Sequence, residues 1–304
     1  MAWRSAIVQA AGAFFPPELV VAVKAIACAL PAQLGLPLSR LHVPDIQAEV
    51  INRGLVASIS GTTIWQWLVD DAIRPWRHRS WIFPRDPEFE AKAGRVLDLY
   101  AHKFEGQLLK AGEYVLCADE KTSIQARLRC HPTLPAGPGR PLRVEHEYER
   151  GGAWAYLAAW DVHRARLFGR LEATTGIEPF SGLVDQVMSL EPYRSAERVF
   201  WIVDNGSSHR GEAATSRLQV AYDNACMIHL PVHASWLNQI EIYFSILQRK
   251  VLTPAAAASL QQLADDILAF EAGYQEMAKP FEWKFTRTDL EELLERLAVL
   301  PAAA

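Results

Sequence analysis

Two short apolar runs, each closed by an aspartate, constrain the fold of this chain more than any other feature. They are Tyr-Val-Leu-Cys-Ala-Asp at 114–119 and Val-Phe-Trp-Ile-Val-Asp at 199–204. Such runs are typical of buried strands, and a carboxylate at the end of a strand escapes the high cost of burying a charge. A third acid lies at 235–244, in Ser-Trp-Leu-Asn-Gln-Ile-Glu-Ile-Tyr-Phe, which indicates the first turns of a helix. Mg2+ prefers oxygen ligands, so we expect three carboxylates to converge on it, those of Asp119, Asp204 and Glu241.

Composition indicates a globular chain with room for two domains. Half of the 304 residues are hydrophobic and 22% are charged. The formal net charge of -4 gives no overall attraction for nucleic acid, so any contact with DNA must come from local basic patches. The four cysteines form no Cys-x-x-Cys pair, which favours reduced thiols in a cytoplasmic protein over a disulfide framework or a zinc site.

The N-terminal 36 residues are apolar but do not predict a membrane span. Residues 6–36 are rich in Ala, Val and Leu, and Pro16, Pro17, Glu18, Lys24 and Pro31 interrupt them. A spanning helix needs roughly 20 consecutive apolar residues. We therefore expect a soluble protein without a membrane partner.

The first hundred residues predict helices. One begins at Pro17 and runs to about Leu30, a second covers about 44–53, and a third covers 62–69 behind Ser60 as a cap. The last two, separated by a glycine-containing turn, favour a helix-turn-helix. Its second helix would enter the major groove by its first residues, which are Thr62, Thr63 and Gln66. A helical packing domain without a ligand is the alternative.

Arginines interleaved with aromatic residues follow the third helix. This stretch contains Arg74, Trp76, Arg77, Arg79 and Trp81. We predict an extended segment whose arginines, Arg74, Arg77 and Arg79, contact DNA, because this composition suits phosphate contact and minor-groove insertion. A solvated basic linker has the same composition. One amphipathic helix is predicted next, from Asp86 to Lys103.

From Tyr114 the pattern changes to strands alternating with helices. Strands are predicted at 114–118, 153–160, 166–172, 199–204 and 226–231, and helices at 176–190, 215–222 and 238–251. Three strands followed by helix, strand, helix, strand and helix is the order of a ribonuclease-H-like α/β domain. The Pro/Gly/Arg-rich segment between 128 and 152 is predicted to be a loop, either facing DNA or merely irregular.

Three blocks in this region resemble the signature blocks of mariner-superfamily transposases, with the bacterial insertion sequence 630 group as the best match. They are Cys-Ala-Asp-Glu-Lys-Thr-Ser-Ile-Gln-Ala (117–126), Ile-Val-Asp-Asn-Gly-Ser-Ser-His (202–209) and His-Ala-Ser-Trp-Leu-Asn-Gln-Ile-Glu (233–241). Pro-Gly-Arg at 138–140, Glu-Tyr-Glu-Arg at 147–150 and Lys-Pro-Phe-Glu-Trp at 279–283 are similar to that group as well. The matches extend over roughly residues 60 to 290.

The resemblance implies a retroviral-integrase-like catalytic domain that cleaves DNA and transfers strands at transposon ends. Asp119, Asp204 and Glu241 would hold two Mg2+ ions, with Mn2+ as a substitute, for in-line displacement by water and then by a 3'-hydroxyl. The implied partners are double-stranded DNA, as terminal inverted repeats and target, and a second copy of the chain.

Further residues in these blocks have two interpretations. Lys121 and Arg140 are predicted phosphate contacts, and Lys121 would otherwise belong to a solvated face. Asn205 and His209 would orient Asp204 or contact phosphate, unless they only make local hydrogen bonds. Asn238 is predicted to cap the helix of Glu241, and Glu120 to point to the opposite face of its strand.

The expected organisation is an incomplete helix-turn-helix region (1–85), a linker helix (86–110) and a catalytic domain (111–295). Transposases of this group usually carry two helix-turn-helix units, and only the second is recognisable, so we expect the first to be missing from this chain. Two alternatives stay open. One is a non-catalytic remnant that binds element ends, and the other is a general ribonuclease-H-like nuclease.

Overall fold

The computed structural model describes residues 15–78, 83–255 and 257–298. The chain forms two compact units that divide between Ile82 and Phe83. The domain boundaries proposed above, at 85 and 110, stay predictions.

The first unit is helical. Its helices are α1 (Pro17–Cys28), α2 (Val43–Asn52) and α3 (Gly61–Asp70), which confirms the three predicted helices to within two residues at every end. The Ser60 hydroxyl accepts a hydrogen bond from the Thr63 amide at 3.0 Å, so the predicted cap of α3 is confirmed. Buried aliphatic side chains, among them Val23, Ile46 and Leu68, hold the helices together. The helix-turn-helix assignment stays a prediction.

The predicted extended segment after α3 is wrong for Arg74 to His78. The Arg77 amide donates to the Arg74 carbonyl at 2.9 Å, and the chain turns there. Pro75 occupies the second position of this turn, where its fixed φ is favourable. Arg79 and Trp81 lie outside the described residues.

The second unit opens with α4 (Phe89–Tyr100), which is shorter than the predicted helix from Asp86 to Lys103. Asp86 lies before the helix because its buried carboxylate accepts hydrogen bonds from the Glu88 and Val232 amides, both at 3.0 Å, and from the Lys92 ammonium. These bonds hold the pKa of Asp86 below its usual value despite the opposing effect of burial.

A small hairpin and a five-stranded sheet follow. The hairpin is β1 (Lys103–Phe104) with β2 (Gln107–Leu108), and the sheet strands are β3 (Glu113–Leu128), β4 (Glu149–Asp161), β5 (Arg166–Glu172), β6 (Arg198–Val203) and β7 (Ala225–His229). Their spatial order is β5-β4-β3-β6-β7. The first three are antiparallel, so β4 and β5 form a hairpin, whereas β3, β6 and β7 are parallel.

Helices cover both faces of this sheet. They are α5 (Ile177–Met188), α6 (Gly211–Ala221), α7 (Ile240–Leu247), α8 (Leu260–Met277) and α9 (Arg287–Ala298). The face formed by Cys117, Phe200 and Ile202 packs against α4, α7, α8 and α9. The opposite face, which includes Trp201 and Val203, packs against α5 and α6. Among the described residues, no helix is long and apolar enough to cross a membrane.

The first strand of the sheet does not end at Asp119, which corrects the prediction that this acid closes a strand. After Asp119, β3 continues to Leu128 as one arm of a long antiparallel pair with β4. Ile124 and Ala126 keep burying alternate side chains, but the register shifts between Lys121 and Ile124, where Ser123 has φ 57°. A bulge at this point breaks the two-residue period that would otherwise indicate a continuing strand.

The loop between β3 and β4 contains one tight turn. The Gly137 and Arg140 backbones exchange hydrogen bonds of 3.0 and 2.9 Å around Pro138 and Gly139. Gly139 has φ 68°, the conformation that the third position of such a Pro-Gly turn requires. The side chain of Arg140 is exposed beside the turn.

An extended segment before α9 covers the core with alternate aromatic side chains. The ring centroid of Phe281 lies 4.7 Å from that of Trp160, Trp283 lies 5.2 Å from Tyr100, and Phe285 lies 5.1 Å from Trp236. Trp236 therefore packs into the protein. The phenol of Tyr100 in turn donates to the Leu237 carbonyl at 2.6 Å. This segment thus supports the chain that leads into α7.

Candidate active site

The register of two parallel strands brings Asp119 and Asp204 side by side. The last paired residues of β3 and β6 are Cys117 and Ile202, and each aspartate follows two positions later in its own strand direction. Cys117 and Ile202 point to the face covered by α7, so side-chain alternation directs both aspartates to that face. Because β6 ends at Val203, Asp119 has no strand beside it on that side, although it lies within β3.

Glu241 reaches the same face from α7. Ile240, Tyr243 and Phe244 of this helix pack on the sheet, and Glu241 lies in the first turn, half-buried. Burial raises the pKa of Glu241, Asp204 raises it further, and the positive charge of Lys121 opposes the rise. The three acids and Lys121 therefore share one electrostatic neighbourhood.

Asp119 is the most buried of the three acids. Its side chain is only 8% exposed, and it accepts a hydrogen bond from the Glu120 amide at 2.8 Å. Burial, followed by the charge of Asp204, raises the pKa of Asp119 to about 7, and the charges of Glu241 and Glu120 add to this. The site concentrates negative charge that no described lysine or arginine neutralises by a direct ion pair.

The donor chemistry of the site fits a hard divalent cation. Carboxylate oxygens are the preferred ligands of Mg2+ and Mn2+, and a cation would relieve the repulsion that raises the pKa of Asp119. The carbonyl oxygen of the Asn238 side chain is buried beside Asp119 without a hydrogen-bond partner in the described part of the chain. As positioned here, however, no three His, Cys, Asp or Glu side chains of residues 15–78, 83–255 and 257–298 are grouped to hold one ion.

Asp204 is held by the loop that follows β6. Its carboxylate accepts a hydrogen bond from the Gly206 amide at 2.7 Å, and Nδ1 of His209 lies 2.9 Å from its backbone carbonyl. A Cβ atom at Gly206 would lie 2.9 Å from both the Asp204 carboxylate and the His209 ring, so this close approach requires glycine. His209 is 0% exposed, so its ring is buried beside Asp204, and its predicted role towards Asp204 or phosphate stays a prediction.

Glu120 lies on the other side of β3 and is linked to the loop of Asp204 through Ser208 and His209. It accepts a hydrogen bond from the Ser208 hydroxyl at 2.8 Å and lies 3.8 Å from Nε2 of His209. Burial would lower the pKa of His209, but Glu120 and the Asp204 carbonyl outweigh it and raise this pKa. Arg217 of α6 adds a hydrogen bond to the Ser208 carbonyl at 3.0 Å. Sequence reasoning does not single out Ser208 or Arg217, although Ser208 lies within the block at 202–209.

Asn238 does not cap α7, which corrects the prediction made for it. The helix is preceded by Gln239, and Asn238 instead closes a short turn at Ser235–Leu237. Its side-chain amide donates to the Ala118 carbonyl at 3.0 Å and lies 3.4 Å from the Asp119 carboxylate. Asn238 therefore ties the segment before α7 to β3. The side-chain amide of Asn205 donates a hydrogen bond to the Leu230 carbonyl, just after β7, at 2.8 Å.

The predicted DNA contacts lie in several places. Thr62 and Gln66 are exposed on α3, whereas the Thr63 hydroxyl lies 2.8 Å from that of Ser60 at the helix cap. Arg74 and Arg77 line one open pocket of the first unit. Lys121 belongs to the acidic site, and Arg140 lies in the loop between β3 and β4. The role of each in DNA binding stays a prediction.

Replacing Asp119 by Asn is expected to stabilise the metal-free protein above neutral pH. The native carboxyl holds its proton up to about pH 7, whereas the unfolded one loses it near its ordinary value of 3.8. Rising pH between these values therefore lowers wild-type stability, by about 1–3 kcal/mol in total, and Asn removes this loss while still accepting the Glu120 amide bond. Urea unfolding in EDTA at pH 5 and pH 8 measures the effect.

The exposed acid Asp223 provides the control for this experiment. Asp223 lies in the turn before β7, and Asp223→Asn should leave the pH dependence of unfolding unchanged. Equal stability of Asp119→Asn and the wild type at pH 8 would contradict the burial and charge repulsion described for Asp119.

Comparison with known proteins agrees with this geometry. Residues 114–264, which carry all three acids, match the family described as DDE superfamily endonuclease. The structure is similar to the Mos1 transposase paired-end complex with left transposon end, with a TM-score of 0.52 and 12% identity over 94% of this chain and 79% of that one. It is also similar to the Mos1 mariner paired end complex with Mn, with a TM-score of 0.51 and 13% identity over 94% of this chain and 77% of that one. For the Mos1 paired end complex with Mg the TM-score is 0.51 and the identity 12%, over 96% of this chain and 81% of that one. No curated protein matches the chain.

At this identity the likeness to the solved structures establishes the fold. The α/β architecture with a mixed sheet matches the ribonuclease-H-like catalytic domain of Mos1 transposase, as predicted. The chain thus carries a DDE superfamily endonuclease domain on this fold.

Proposed function

We propose that this chain, which carries a DDE superfamily endonuclease domain, is a transposase that cuts and joins DNA at the ends of a mobile element. The observation that carries the proposal is the register of β3 and β6, which aligns Asp119 with Asp204 beneath the helix of Glu241. Within this proposal the enzyme belongs to the bacterial insertion sequence 630 group of the mariner superfamily. Its DNA partners are the terminal inverted repeats and the target.

Asp119, Asp204 and Glu241 would hold the divalent ions, Mg2+ or Mn2+. Such ions activate an attacking oxygen and stabilise the leaving oxygen of an in-line phosphoryl transfer. The structures of Mos1 complexes with Mn and with Mg support this choice of metal. Asn238 restrains Asp119, and the Gly206 amide with His209 restrains Asp204, so that two of the three carboxylates are fixed before DNA binds.

Lys121 would contribute a positive charge on the DNA side of the site. It lies on β3 two residues after Asp119, and its charge acts on Glu241. A lysine at this position can contact a phosphate while the acids are occupied by metal ions. The first unit, with Thr62 and Gln66 exposed on α3, would recognise the element ends as a helix-turn-helix. We also propose that the chain acts as a homodimer that holds two element ends; a paired-end complex with a transposon end is the form in which Mos1 transposase was solved.

A cleavage assay on the DNA that flanks the chain's own coding frame tests the proposal. Duplexes covering both flanks, and scrambled duplexes of the same composition, are incubated with the full chain in Mg2+, Mn2+ or EDTA. A transposase cuts the flanking duplexes at defined positions, only with metal, and leaves 3'-hydroxyl ends. Cutting of all duplexes without preference would indicate a general nuclease, and binding to the flanks without metal-dependent cutting would indicate a non-catalytic remnant.

A further inference from the structure

An open basic pocket lies on the first unit, at the C-terminal end of α3. Its volume is about 600 Å3, and it is lined by Arg40, Ala72, Arg74, Trp76, Arg77 and His78. None of the described carboxylates lines it, and its arginines are exposed. Arg40 comes from the loop between α1 and α2, far in sequence from the others, and sequence reasoning does not link it to them.

Backbone hydrogen bonds build this pocket. After α3 the Ala72 amide donates to the Val69 carbonyl at 2.9 Å and the Ile73 amide to the Leu68 carbonyl at 2.7 Å, the pattern of a Schellman C-cap with Ala72 at φ 57°. The turn from Arg74 to Arg77 follows directly. These bonds fix the direction in which the chain leaves α3, so the arginines are presented from an ordered turn.

Arg40 joins the two parts of the pocket. Its Nη1 donates to the Trp76 carbonyl at 3.2 Å and lies 3.3 Å from Nδ1 of His78. Arginine has only donors, so Nδ1 of His78 must be the acceptor, and the ring proton is then on Nε2. His78 consequently offers an N–H donor in addition to the guanidinium groups.

The positive charge of the pocket is not neutralised within the described part of the chain. None of the guanidinium groups of Arg40, Arg74 and Arg77 forms an ion pair with the described carboxylates. The nearest acids in sequence have other partners: Asp71 pairs with Lys24 at 2.7 Å, and Asp70 accepts from Gln66 at 2.7 Å. Although the net charge of the chain is -4, these three arginines around one opening have no carboxylate partner among residues 15–78, 83–255 and 257–298.

We infer that Arg40, Arg74, Arg77 and His78 form one binding pocket for backbone phosphates of DNA. The inference rests on the proposed function, because it is that function which supplies DNA as the polyanion. Guanidinium groups bind phosphate oxygens by paired hydrogen bonds, and the neutral His78 adds a single donor. Trp76 gives the pocket an apolar wall for the adjoining sugar. The site fixes the position of the first unit on the duplex without reading base sequence.

The test is the salt dependence of DNA binding by the full chain. Fluorescence anisotropy with a labelled 30-base-pair duplex from the coding-frame flank is compared between wild type, Arg40→Gln and Arg77→Gln in EDTA. The slope of log K against log salt is negative, and each lost phosphate contact should make it shallower by about 1. Each lost contact should also weaken binding roughly 3- to 10-fold, on flanking and scrambled duplexes alike. Arg53→Gln is the matched control, because Arg53 lies in the same unit but pairs with Glu49 at 2.6 Å.

A further variant, Arg40→Lys, keeps the test interpretable. Arg77→Gln changes an exposed side chain, whereas Arg40→Lys keeps the charge of a residue that bonds to the backbone; Arg40→Lys should retain the wild-type slope. If Arg40→Gln and Arg77→Gln have the same salt slope as Arg53→Gln, the phosphate-binding assignment of the pocket is wrong, even if the wild type cuts DNA as proposed. If the wild type does not cut DNA with metal but the slopes still differ, the proposed function is wrong and the pocket assignment holds. A stronger effect on a duplex RNA probe than on DNA would also overturn the assignment to DNA.

Discussion

Replacing Asp204 by Asn is expected to reduce metal-dependent DNA cleavage by about a thousandfold or more. Asn keeps the size of the side chain and can still accept the Gly206 amide bond, but it removes one of the negative charges that would hold the ions. Loss of one preorganised electrostatic contact in an active site commonly costs 10^2- to 10^3-fold, and a lost metal ligand acts on both oxygens of the displacement. Initial rates on the flanking duplex in Mg2+ and in Mn2+ measure the loss.

Asp223→Asn is again the control, because it removes one exposed carboxylate from the same unit and should keep the wild-type rate. Circular dichroism and thermal melting establish that Asp204→Asn is folded. A variant that cuts within tenfold of the wild type would remove Asp204 from the catalytic site.

Replacing Trp160 by Ala is expected to lower the free energy of unfolding of the second unit by about 3–5 kcal/mol. Trp160 on β4 is 0% exposed and packs against Phe281 of the segment before α9. The ring centroid of Tyr274 on α8 lies 6.4 Å from that of Trp160. Truncation leaves a large cavity that rigid strands cannot fill. Hydrogen exchange of the β6 amides in increasing urea measures the change without assuming that the two units unfold together.

Two tryptophan variants bracket this result. Trp160→Phe should cost only about 1–2 kcal/mol, since the indole N–H has no hydrogen-bond partner among the described residues and the aromatic contact survives. Trp65→Ala, on a side chain that is 46% exposed on α3, should change β6 exchange by less than about 0.5 kcal/mol. A cost for Trp160→Ala no larger than for Trp65→Ala would contradict the described core.

The order of strands and helices along the chain and the place of Asp204 follow from local patterns in the sequence. The apolar run that Asp204 closes predicts a strand at 199–204, and β6 ends at Val203, one residue before Asp204. The amphipathic period of α5 and the Ser60 cap of α3 are equally local. Signals of this kind need no knowledge of partners distant in sequence.

The setting of Asp119 could not be predicted in the same way. Whether β3 ends or continues depends on its pairing with β4, whose partners for residues 120–128 lie 21 to 37 positions away, and the bulge near Ser123 hides the alternation. The role of Asn238 depends on the Ala118 carbonyl, more than a hundred residues earlier. The contribution of Arg40 to the basic pocket could not be predicted either. It depends on a hydrogen bond to the distant Trp76 carbonyl, and loop positions carry no periodic signal.

Iron-mediated cleavage of the protein itself tests the metal site most directly. Fe2+ with ascorbate and peroxide replaces Mg2+ in the full chain, and mass spectrometry maps where hydroxyl radicals cut the backbone. We expect cuts near Asp119, Asp204 and Glu241 that excess Mg2+ suppresses. Asp204→Asn should lose these cuts, while Asp223→Asn should keep them. Cuts confined to other parts of the chain, or cuts near the three acids that persist in Asp204→Asn, would contradict a metal site formed by these acids.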